Sequence, residues 1–110
     1  MKLEQRSVDG GGVVIALEGE ADLAAAPEFQ AAVRKVMEEK PPVFVIDFSE
    51  TTFVNTPIWA VVVEYYQFAK GEDLKFAVAG LSGRVEASFE VVRLGEFIPH
   101  YPTVDTALAG

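Results

Sequence analysis

Cysteine is absent from the 110 residues, and histidine and tryptophan occur once each. Without cysteine, neither a disulfide framework nor a thiolate metal site can form. A lone histidine, His100, and no carboxylate pair at metal-ligand spacing leave nothing from which to build a zinc site or a hydrolytic triad. No catalytic residue, metal or cofactor is therefore expected. Half of the residues are apolar, yet no window approaches the roughly 18 consecutive apolar residues of a membrane span. The segment Met1-Lys2-Leu3-Glu4-Gln5-Arg6 also lacks the apolar run of a secretory signal. Basic charge is scarce: nine Lys+Arg face seventeen Asp+Glu, a net charge of −8. Nucleic acid is then a poor partner, because its phosphates are met by clustered cations. The expectation is a single domain over 1–110, cytoplasmic, with no nucleic-acid partner and no direct membrane insertion.

What the chain does have is a series of short apolar runs separated by amphipathic stretches. The central one spans Val43 to Lys70. Val43-Phe44-Val45-Ile46 is too short and too β-branched for a helix, and its unbroken apolarity fits a central strand covered on both faces. After Asp47 the chain crosses Ser49-Glu50-Thr51-Thr52 as a short polar connection and reaches Phe53-Val54-Asn55-Thr56-Pro57. Beyond Pro57 the pattern turns helical, with Ile58, Val61, Val62 and Tyr65 on one face. Proline suits the first helical position, which makes Thr56 the expected N-cap. Trp59, Val63 and Tyr66 form a second apolar face, leaving only Glu64, Gln67 and Lys70 as a polar stripe. A helix apolar nearly all round is either enclosed or offered to a partner. Here partial exposure of Trp59, Val63 and Tyr66 is expected, as a partner or homodimer surface; burial against the first helix is the competing outcome.

Upstream, Leu3 to Val8 and Val13 to Leu17 read as two antiparallel strands joined at Asp9-Gly10-Gly11-Gly12, where glycines supply positive φ. That triplet is no phosphate loop, since no Lys-Ser/Thr comes after it. A helix begins at Ala24-Ala25-Ala26-Pro27, buries Phe29, Val33, Val36 and Met37, and closes at Lys40 before Pro41-Pro42. A helix between two strands implies a crossover and parallel pairing. Downstream, Leu74 to Ala79 is another inner strand. Ser82 opens a third helix that places Val85, Phe89 and Val92 on one face and ends at Gly95. Phe97-Ile98 reads as a short edge strand, and Thr103 caps a last brief helix. The result is a mixed α/β sheet of four or five strands with about four helices packed on it.

This layout resembles a known family at several points. Gly19-Glu20-Ala21-Asp22-Leu23, leading into the first helix, looks like the corresponding segment of a STAS domain, the fold of the anti-sigma-factor antagonists. Ile46-Asp47-Phe48-Ser49 with the later Phe53-Val54-Asn55-Thr56-Pro57-Ile58 resembles the family's central motif, in which an Asp-Ser or Asp-Thr pair precedes the second helix. Phe89-Glu90-Val91-Val92-Arg93-Leu94 with Phe97-Ile98-Pro99-His100-Tyr101 resembles its closing segment. The resemblance implies a non-enzymatic binding protein. It would capture an anti-sigma factor that is also a kinase, be switched off by phosphorylation at the second helix, and be restored by a phosphatase.

Carried over by position, the phosphoacceptor falls on Thr56 and the preceding acidic residue on Asn55. Asp22 matches the acidic position near the acceptor loop. The partner-binding set is then Asp22, Asn55, Pro57, Ile58, Trp59, Val63 and Tyr66, with a homodimer through the second helix as a further candidate. Asn55 removes a charge beside the acceptor, and Pro57-Ile58 is bulkier than the family's small pair. Those departures suit an alternative role: a STAS accessory subunit of a membrane transporter, of the lipid-export ATPase type, that docks without phosphorylation.

Overall fold

The computed structural model describes residues 1–110. Strands β1 (Lys2–Val8) and β2 (Gly12–Ala21) form an antiparallel hairpin, with Gly10 and Gly11 at positive φ in its turn. Helix α1 (Ala26–Glu39) crosses to strand β3 (Val43–Asp47), which pairs parallel to β2. Strand β4 (Thr51–Val54) leads into helix α2 (Thr56–Gly71), and strand β5 (Lys75–Ala79) lies parallel to β3. Helix α3 (Gly83–Val91), strand β6 (His100–Tyr101) and helix α4 (Val104–Ala109) complete the chain. The sheet runs β1-β2-β3-β5-β6, with β4 paired to β2. No helix is long and apolar enough to cross a membrane.

The central run behaves as its composition requires. Phe44, Val45 and Ile46 are fully buried, because β3 lies between β2 and β5 with a core on each face. The larger core takes Phe29, Val33 and Val36 from α1, Ile58, Val62 and Tyr65 from α2, and Val85 and Phe89 from α3. The smaller gathers Val14, Val45, Ala77 and Ala79 beneath Ala107 of α4. Thr103 caps α4 in a reciprocal box with Thr106. Lys40, at φ 47, closes α1 in the left-handed region before Pro41-Pro42.

Six strands replace the four or five expected from sequence. The extra one is β4, where a polar connection was expected. Its backbone pairs parallel to the second half of β2, through Gly19↔Thr51, Glu20↔Phe53 and Ala21↔Val54. Strand β2 thus serves β3 with its first half and β4 with its second, with an irregularity at Gly19/Glu20 where Gly19 has φ 90. Thr51 is polar yet buried because its hydroxyl donates to the Leu17 carbonyl at 2.6 Å.

Other boundaries shift by a few residues. A 3-10 turn over Leu23–Ala25 precedes α1, so the α-helix itself starts at Ala26. Helix α3 stops at Val91, and Gly95 lies inside a later 3-10 turn, Leu94–Glu96. Arg93 at φ 61 takes the left-handed position instead. The edge strand falls at His100–Tyr101, beyond Pro99, while the amides of Phe97 and Ile98 both donate to the Leu94 carbonyl and close that turn.

Candidate functional site

The site is set by where β2 and β4 end. The Asn55 amide donates to the Ala21 carbonyl at 2.9 Å, which extends the pairing by one step and brings the Asp22 and Asn55 backbones alongside each other. Each of these two residues then caps the element after it. Asp22 Oδ1 accepts from the Ala25 amide at 3.1 Å and closes the 3-10 turn. Asn55 Oδ1 accepts from the Thr56 amide at 2.7 Å. Asn55, with φ −86 and ψ 158, is therefore the N-cap of α2, and Thr56 is its first helical residue. This corrects the expectation of a cap at Thr56: the pairing of β4 keeps the backbone extended one residue short of it. The Thr56 side chain is exposed.

The amides of the first turn are largely taken. Asn55 holds that of Thr56, Pro57 has none, and that of Ile58 donates to the Asn55 carbonyl at 3.0 Å. An anion on Thr56 would meet the positive end of the helix dipole more than free donors. From Pro57, the residue after Thr56, an open groove of about 330 Å³ runs between α1 and α2. Leu23, Ala26, Pro27 and Gln30 line one wall, and Pro57, Ala60, Val61 and Glu64 the other. Leu23 is 65 % exposed, the largest apolar side chain offered at the rim. At β4, the Arg84 guanidinium lies 5.6 Å above the Phe53 ring, a cation–π contact.

The second helix divides differently from expectation. Ile58 is fully buried and Trp59 is only 3 % exposed, so neither offers its side chain to a partner. Trp59 packs on Phe48 and Phe89, with centroids at 5.2 and 5.5 Å, and its indole N–H donates to Ser88 Oγ at 2.8 Å. Helix α3, not α1, covers that face. An indole needs a hydrogen-bond acceptor when buried, and α3 supplies one in Ser88. Val63 and Tyr66 keep the expected partial exposure, but the Tyr66 ring rests against Phe97 at 5.5 Å. A homodimer face built on Trp59, Val63 and Tyr66 thus loses its largest member.

Of the residues expected to bind a partner, Asp22 and Asn55 are brought side by side by the strand pairing, and Pro57 lines the groove. Leu23, Pro27, Gln30, Ala60 and Glu64 line it as well and were not foreseen. Nothing in their spacing reveals a groove that exists only once α1 and α2 pack. Asp47 Oδ1 accepts from the Ser49 amide at 3.0 Å, an ordinary turn cap. The His100 Nδ1 lies 3.1 Å from the Ile98 carbonyl, and its ring meets the Phe89 ring at 5.3 Å.

The family model for the STAS domain matches residues 3–107, and the chain belongs to that family. Its backbone is similar to that of an anti-sigma factor antagonist from Mycobacterium paratuberculosis, at 27% identity and a TM-score of 0.86, over 98% of this chain and 91% of that one. A putative anti-sigma factor antagonist from Thermotoga maritima matches at 17% identity and a TM-score of 0.89, over 97% and 92%. The Bacillus cell fate determinant SpoIIAA, solved in its phosphorylated form, matches at 17% and 0.76, over 98% and 97%. No curated protein sequence matches significantly.

Proposed function

We propose that this STAS domain is an anti-sigma-factor antagonist. It acts by binding an anti-sigma factor kinase on the surface around Thr56, is switched off when that kinase phosphorylates Thr56, and is restored by a phosphatase. The observation that carries the reading is the exposed threonine at the first residue of α2, next to an apolar groove that the fold leaves open. The similarity to anti-sigma factor antagonists, one of them known in a phosphorylated form, supports it.

The physics of such a switch is direct. Phosphorylation adds about −1.5 to −2 charge at neutral pH. At the start of α2 the helix dipole tolerates that charge, so the fold persists. A partner lying on Leu23, Pro57 and Ala60 would instead have to desolvate a dianion beside apolar walls. A penalty of a few kcal/mol, the size of one interface hot spot, lowers affinity roughly 100-fold or more.

The test is incubation with the cognate kinase and ATP, then mass spectrometry and a binding assay. One phosphate on Thr56, absent from Thr56→Ala and accompanied by loss of kinase binding, is the expected result. The neutral Asn55 and the rigid Pro57 favour the second reading, a transporter-associated subunit that docks unmodified. A kinase that is active on another substrate but leaves Thr56 unmodified, together with capture of a transporter ATPase, would replace the first reading by the second.

A further inference from the structure

The outermost strand, β1, has a neighbour on one side only. Glu4, Gln5, Arg6 and Ser7 alternate between the two faces of the sheet and all four are exposed, so neither helical layer overhangs the edge. An open edge presents unpaired N–H and C=O groups, and proteins commonly blunt it with proline, a bulge or charge. Strand β1 has no proline, and its register with β2 is unbroken from Lys2↔Glu18 to Val8↔Gly12. Its charges alternate in sign along one face: Lys2, Glu4, Arg6.

That alternation selects one arrangement. When β1 meets a second β1 antiparallel about Gln5, Glu4 of each copy lies opposite Arg6 of the other, twice by symmetry. Sliding the axis to Glu4 sets Glu4 against Glu4 and Lys2 against Arg6. Sliding it to Arg6 sets arginine against arginine. A parallel in-register pairing opposes like charges throughout, which is unfavourable for directly opposed residues. Within the monomer Arg6 takes part in none of the five ion pairs, and Glu4 pairs only with Lys2, at 3.0 Å. The cation that this register needs is therefore free.

We propose that two copies associate through antiparallel β1–β1 pairing centred on Gln5, joining their sheets into one, with reciprocal Glu4–Arg6 contacts. The pairing uses no residue of the Thr56 groove and stands independently of its role. Seven residues per edge make a small contact, below the roughly 1,200–2,000 Å² of stable interfaces. Each copy also carries a net charge of −8. The dimer is accordingly weak and concentration-dependent.

Sedimentation velocity from micromolar to millimolar protein tests this, with unfolding midpoints confirming that each variant is folded. Wild type shifts from monomer to dimer. Arg6→Glu and Glu4→Arg, each placing like charges opposite one another, both weaken self-association by about tenfold. An equimolar mixture of these two variants restores a dimer, because each supplies the charge the other lacks. A wild type that stays monomeric throughout, a dimer unaffected by Arg6→Glu, or a mixture no better than its components would each overturn the proposal.

Discussion

The Tyr65 side chain on α2 is fully buried among Phe44, Phe68 and Phe76, and its hydroxyl has no hydrogen-bond partner. Burying an unpaired hydroxyl costs about 1–3 kcal/mol in protein mutational series. Tyr65→Phe removes that oxygen and keeps the ring, so the three aromatic contacts persist. The expected gain is about 1 kcal/mol, since some packing around the oxygen is lost. For a domain of this size that raises Tm by roughly 4 °C.

A second measurement separates the hydroxyl from packing in general. Burial pushes the Tyr65 phenol from 10.0 up to about 12. The folded state therefore holds this proton more tightly than the unfolded state. The associated stability is fully present below pH 10 and is lost as pH rises from 10 through 12, about 2–3 kcal/mol in total. Urea unfolding of both proteins between neutral and strongly alkaline pH isolates this component, because Tyr66, Tyr101 and every lysine are common to both. The Tyr65→Phe advantage should widen steadily above pH 10. A variant less stable than wild type at neutral pH, or two alkaline profiles that run parallel, would refute the reasoning.

Four further outcomes are expected. Asn55→Ala removes the cap of α2 and should cost about 1 kcal/mol in urea unfolding. Ser88→Ala strands the indole N–H of Trp59 inside the protein and should cost about 1–3 kcal/mol; because Trp59 is the only tryptophan, its fluorescence also tests burial, by weak quenching from added acrylamide. Gly80→Ala should destabilise by at least about 1–2 kcal/mol, since Gly80 has φ +75 and a Cβ there would lie 2.7 Å from the Ser49 backbone nitrogen. Thr56→Glu should leave Tm within a degree or two of wild type yet weaken kinase binding roughly 100-fold, as read by calorimetry of the two proteins.

Local patterning by itself determined much of this protein. The unbroken apolarity of Val43 to Ile46 means a strand covered on both faces, whatever surrounds it. The periodicity of Phe29, Val33 and Val36, and of Ile58, Val62 and Tyr65, orients two helices on a core before their neighbours are known. The segment ending at Leu23, the stretches Ile46 to Ser49 and Phe53 to Ile58, and the tail from Phe89 to Tyr101, in that order, together suggested the family. Tertiary structure decided the rest. Strand β4 is invisible to periodicity because Thr51 and Thr52 are polar, and its partner is the far half of a strand about 30 residues earlier. That pairing holds Asn55 extended, which makes Asn55 the cap and leaves the Thr56 hydroxyl to solvent. The fate of Trp59 turned on an acceptor 29 residues away in α3, which no window around the helix contains. Side-chain spacing assigns a residue to a face of its own helix; only the packed chain determines what covers that face.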